Sequence, residues 1–245
     1  MPIGDDNTPP NTSWNSSSFP AFFEGWLVRQ EHYLDELLSA QDSFADEDGE
    51  SQQEEVRGLI SRVLSHYQQY YQAKALAARN DVFHVFSPSW FSTLERSFLW
   101  IGGFKPGLVF RLLGSAVGGD MGSEQLMLIE RLKGETRAAE KELEEEMASV
   151  QESVAAPPLV EMARRAGRLV DRERRSGADN VLESLRRSAQ VLVESADHLR
   201  AMTTSKVIEV LSPAQGVRLL AAAAQLQLRI RMWGAQRDGR PPRTP

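Results

Sequence analysis

Apolar side chains recur every three or four residues through most of the chain, the spacing that lines up one face of an α-helix. The first run is Phe19, Phe22, Phe23, Trp26, Leu27, Gln30, Tyr33, Leu34, Leu37 and Leu38. Only Gln30 breaks its apolar stripe, so an amphipathic helix is predicted, ending in the acidic segment Asp42 to Glu55. A second helix carries Val56, Leu59, Ile60, Val63, Leu64, Tyr67, Tyr70 and Tyr71, and is interrupted by Asp81–His84 and by Ser87-Pro88. Ser92 and Glu95 have capping-box spacing, so a third helix is expected to hold Leu94, Phe98, Leu99 and Trp100 and to stop at Gly102-Gly103. A short fourth follows Pro106. From Leu126 through Ile129, Leu132, Thr136, Ala139, Leu143, Met147 and Val150 to Val154 the steps alternate between three and four residues. That is a bundle or coiled-coil seam, stopped by Pro157-Pro158. One later helix centres on Val181, Leu185, Ala189, Leu192, Ala196 and Leu199, and the last starts at Ser212-Pro213 and runs to about Trp233. No segment shows the strand period and no internal repeat is visible. The expected class is all-α, a multi-helix bundle with long antiparallel helices.

The ends differ from this bundle. Residues 1–18 are rich in Pro, Asn, Ser and Thr and read as a disordered tail; residues 236–245 read as a disordered basic one. Residues 19–235 are expected to form one domain, with the four glycines of 114–122 as its candidate hinge. Apolar residues at 41% and charged residues at 25% are ordinary for a globular protein. The formal charge of −6 argues against the basic footprint of a DNA-binding domain. With no cysteine, disulfides, thiolate zinc sites and cysteine nucleophiles are excluded. No apolar run is long enough to span a membrane, and the first base of the chain is Arg29, unlike a secretory signal. Nucleus or cytoplasm is the expected compartment.

Catalytic patterns are missing. His32, His66, His84 and His198 are scattered without metal-ligand spacing, and no pair of Glu-x-x-His motifs offers a di-iron site. There is no phosphate-binding loop and no nucleophile elbow, and the glycine cluster has no strand before it. The expectation is a non-enzyme without metal or cofactor. Two features suit partner binding instead. Phe22 and Trp26 lie four apart beside the N-terminal tail, so they share a face that serves either core or partner. Seven glutamates between Glu135 and Glu152 precede six arginines, Arg164, Arg165, Arg168, Arg172, Arg174 and Arg175. These charges either pair across neighbouring helices or form a docking site for an acidic partner, and both readings stay open.

Several stretches together resemble one plant family. Glu95-Arg96-Ser97-Phe98-Leu99-Trp100-Ile101-Gly102-Gly103-Phe104, with Phe83–Trp90 before it, is similar to the core of the Delay-of-Germination (seed-dormancy) domain. Val63–Tyr67, Phe22–Trp26, Ala196–Arg200 and Ile208–Gln215 resemble its other helices, so the likeness covers roughly 18–235. It implies a regulatory module of abscisic-acid-linked seed dormancy and maturation, with type 2C protein phosphatases or transcriptional co-regulators as partners. The same domain occurs in TGA-type bZIP transcription factors, but residues 1–28 hold no base and so no basic region. The chain therefore looks like the stand-alone branch, for which specific DNA binding by the isolated chain is not expected; self-association is left open. The alternatives are a transcriptional co-factor touching DNA through the TGA-like domain, and a receptor for haem or an apolar ligand. Some relatives carry two histidines in the last helix, where this chain has Gln227 and Arg231; that departure implies no haem by their route.

Overall fold

The computed structural model describes residues 18–43, 50–154 and 172–239. Among them are seven helices: α1 (Ser18–Ser43), α2 (Glu50–Phe86), α3 (Thr93–Ser97), α4 (Leu108–Ala116), α5 (Ser123–Val154), α6 (Arg172–Val210) and α7 (Pro213–Arg237). The all-α expectation holds, with a lone bridge between Trp100 and Gly103 as the only strand-like pairing among the described residues.

The long helices run antiparallel. Trp26 of α1 reaches the carbonyl of His66 on α2, while Leu37 meets Val56 and Leu59 near the other end of α2. Thr136 faces Thr203, and Gln125 bonds the Val210 carbonyl, so α5 and α6 also run in opposite senses. Burial of the predicted stripes makes one long core. Its middle joins Leu37, Val63, Val217 and Leu220, its lower layer Leu113, Ile129, Val207 and Leu219, and its flank Val82, Leu143, Leu192 and Val193.

Local sequence sets the helix ends. Ser212 Oγ accepts from the Gln215 amide while Gln215 returns a bond to the Ser212 amide, a complete capping box with Pro213 at the first turn. Ser92 and Glu95 make the same box at α3. Two expectations need correcting. Helix α3 ends at Ser97, not at the glycines, and leaves Trp100 in a turn. The break at Asp81 is a kink inside α2, with φ −153° and ψ 97°. Arg186 of α6 donates to the carbonyls of Arg79 and Asn80 (2.6 and 2.5 Å), and Asp81 caps the Phe83 amide (3.0 Å). Thus the groups freed by the kink are bonded again. The candidate hinge at 114–122 begins inside α4 and is mostly exposed. A side chain at Gly118 would lie 2.3 Å from the Gly114 carbonyl oxygen, and Val117 beside it is buried.

Candidate functional site

The segment from Asp81 to Phe104 packs against α1, α6 and α7, and two ion clusters, one buried and one part-buried, hold it there. The first is centred on Arg200 of α6. Its guanidinium bonds Asp197 Oδ1 (2.5 Å), the Phe104 carbonyl (2.6 Å), the Ile101 carbonyl (3.0 Å) and the Trp100 carbonyl. These acceptors converge because residues 100–103 form a tight turn with Ile101 at φ 44° and Gly102 at φ 68°. A β-branched residue is strained at positive φ, and burial of Ile101 in the α2–α6 core holds it there. Gly103 is needed for a different reason: a Cβ there would sit 2.8 Å from Arg200 Cζ. Lys74 of α2 completes the cluster, 2% exposed and 2.8 Å from Asp197 Oδ1. Burial pulls its ammonium down to about 8, against the opposing pull of Asp197.

The second cluster is centred on Arg231 of α7. It bonds both Glu95 oxygens (3.3 and 3.0 Å), Glu24 Oε1 (3.1 Å) and the Trp90 carbonyl (2.6 Å). Glu95 also accepts from the amide and hydroxyl of Ser92 (both 2.6 Å). Gly234 lets α7 come this close, since a Cβ there would fall 2.0 Å from Ser92 Oγ. Outside the clusters, Glu144 of α5 accepts from Trp100 Nε1 (2.9 Å) and Lys105 (2.6 Å). The pairing raises Lys105 and lowers Glu144 from their usual values.

Of the residues put forward for partner binding, Trp26 is 1% exposed and is core. It packs against the His66 ring at 4.4 Å and lies among Phe23, Tyr67 and Tyr70. Phe22 is half-buried at the edge of the same aromatic cluster. Arg164, Arg165 and Arg168 lie outside the described residues, and of Arg172 only the backbone, at the start of α6, is described. Sequence reading missed two things. Lys74 stands on the buried stripe of α2 with Tyr70, Ala78 and Val82, so a lysine on an apolar face was the available signal. The other is exposure: Phe98, expected in the third helix, and Trp233, at the expected end of the last, are 50% and 51% exposed.

Glu95, Arg200 and Arg231 are thus spent on holding the chain together. No group of three His, Asp or Glu side chains among the described residues could hold a metal ion. The positions where relatives place histidines do not fit haem: Gln227 accepts from Gln30 (3.2 Å), and Arg231 is committed to Glu95 and Glu24. No described helix is long and apolar enough to cross a membrane.

A family model described as seed dormancy control matches residues 33–115. Protein RESPONSE TO ABA AND SALT 1 of Arabidopsis thaliana is 40% identical over 91% of this chain and 96% of its own length. Protein DOG1-like 4 of the same plant is 33% identical, over 89% of this chain and 93% of its own. Transcription factor TGA6, also from Arabidopsis thaliana, is 30% identical over 87% of this chain but only 62% of its own length. Full-length agreement with two such proteins, together with the matched signature segment, means that the chain belongs to the seed dormancy control (Delay-of-Germination) family of plant proteins.

Proposed function

We propose that the chain is a non-enzymatic regulatory module that binds other proteins in an abscisic-acid and salt response linked to seed dormancy, acting in the nucleus or cytoplasm. The observation that carries this reading is the 40% identity to Protein RESPONSE TO ABA AND SALT 1 along nearly the whole of both chains. The use of Glu95, Arg200 and Arg231 as internal clasps supports it, because these charges are occupied and leave the outer helical faces for partners. Type 2C protein phosphatases are the first partners to try, with transcriptional co-regulators next. In a calorimetric titration of the purified chain with a plant type 2C phosphatase, saturable binding is expected. Plants lacking the chain should germinate differently from wild type on abscisic acid and on salt. Normal germination on both, with no phosphatase binding, would overturn the reading.

A second reading, a transcriptional co-factor, is favoured by the 30% identity to Transcription factor TGA6. It differs in requiring the chain to enter a complex on DNA, which a supershift of a TGA factor bound to its site would detect.

A further inference from the structure

We propose that the outward face of α7, formed by Arg229, Met232, Trp233 and Arg237, docks an acidic amphipathic segment of a partner protein, together with Arg96 of the neighbouring α3 and Phe98 just after it. This rests on the interaction role above and names the surface and the chemistry that it would recognise.

The four α7 residues fall at positions i, i+3, i+4 and i+8, which is one side of a helix. All are exposed, while the opposite side of α7 is buried through Val217, Leu220, Ala221, Ala224 and Gly234. Trp233 is therefore a large ring turned to solvent, with an arginine one turn before it and another one turn after. Phe19, Phe23 and Trp26, by contrast, are packed inward. Tryptophan and arginine are the side chains that dominate interface energetics when a partner desolvates them.

Charge selects the partner. The chain as a whole is acidic at −6, so an acidic ligand is repelled by most of its surface. At this end the balance reverses. Arg96, Arg229 and Arg237 are exposed, and none is paired with a carboxylate among the described residues. The nearby acids are Glu95 and Glu24, both bonded to Arg231, and Asp238, bonded to the Thr93 amide, so the four arginines of this end outnumber its three carboxylates. The face is also held in place: Gly234 seats against Ser92 and Leu94, and the Thr93 amide donates to Asp238 Oδ2 at 2.9 Å, tying α3 to α7. Binding to such a fixed surface loses little ordering entropy. The matching ligand is a helix with Leu, Phe or Trp on one face and Asp or Glu along its margins.

The test pans a phage-displayed library of random peptides on the full chain. Enrichment of acidic sequences with helically spaced apolar residues is expected. The strongest recovered peptide, labelled with fluorescein, is then titrated against wild type, Trp233→Ala and the double variant R229E/R237E by anisotropy. Each variant should weaken binding by about tenfold or more, and added salt should weaken the wild type. All three residues are exposed, so circular dichroism and melting should match wild type. Recovery of neutral or basic peptides overturns the proposal, as does binding that both variants retain. Binding seen only after deletion of residues 1–17, which hold Asp5, Asp6 and Trp14 and no base, also overturns it, by making that segment the occupant. If the variants still bind the phosphatase like wild type while acidic peptides fail, this face is wrong and the interaction role stands. If wild type binds neither, both fall.

Discussion

A tryptophan whose Nε1 donates to the His66 carbonyl at 2.9 Å, and whose ring lies parallel to the His66 imidazole, has no face left for a partner. Trp26→Ala should therefore cost about 3–5 kcal/mol of stability, the range for emptying a buried aromatic site. Urea unfolding checks it, and a variant as stable as wild type would return Trp26 to the surface. Its stacking partner makes a pH prediction. Burial, helped by Arg29, lowers His66 to about 4 from 6.5, and no partner is found for its Nε2. Between those values the unfolded chain binds a proton that the folded chain does not, so stability rises with pH across this window. Acidifying from 6.5 to 4 should remove stability with a slope of at most about 1.4 kcal/mol per pH unit from this group. Below 4 its contribution levels off. Melting followed across that window in wild type and His66→Gln should show a shallower acid slope in the variant; equal slopes would clear His66 of the role.

Among the elements, α7 bears the heaviest polar load, since one arginine joins it to both α1 and α3. Arg231→Met would strand Glu95, whose side chain is 8% exposed, and should cost about 3–5 kcal/mol. Pairing it with Glu95→Gln should recover part of the loss, because the stranded charge is then gone; a double variant no better than the single would show that packing, not charge, is at stake. The same occupied positions predict that haemin gives no saturable Soret shift with the wild-type chain; a stoichiometric shift would reveal a pocket elsewhere. The helices themselves were legible wherever the signal is local. Stripes gave α1, α2 and α5, and Ser212-Pro213 gave the start of α7. The misreadings lie where a distant partner decides. The kink at Asp81 reads as a helix end until Arg186, more than a hundred residues later, supplies donors to its carbonyls. Trp100 reads as helical until Arg200 gathers the carbonyls of its turn. Likewise, the aromatic pattern marks Phe98 and Trp26 alike, and only tertiary packing puts one outside and the other in.

For the molecule as a whole, the sum of charges weighs more than any one site when the partner is DNA. A duplex presents a dense row of phosphates, and affinity for it comes largely from bases that release its counterions. This chain carries 34 acids against 28 bases, and several of those bases are already spent: Lys74 and Arg200 on Asp197, Arg231 on Glu95 and Glu24, Arg186 on the kink carbonyls. The exposed glutamates of α5, among them Glu142, Glu145, Glu146 and Glu152, would repel a nearby phosphate backbone. Among the described residues, Arg96, Arg229 and Arg237 form a small exposed positive patch, too few contacts to read a sequence yet enough for weak attraction at low salt. The isolated chain should therefore retard a labelled duplex bearing the TGACG element only at low ionic strength, no better than a scrambled duplex. That binding should vanish near physiological salt, where specific binders hold their sites at about 10⁻⁸ M or tighter. R229E/R237E should weaken even the low-salt retardation. A site-specific dissociation constant in the nanomolar range for the purified chain would contradict this, and would mean that a surface other than α7 reads the bases.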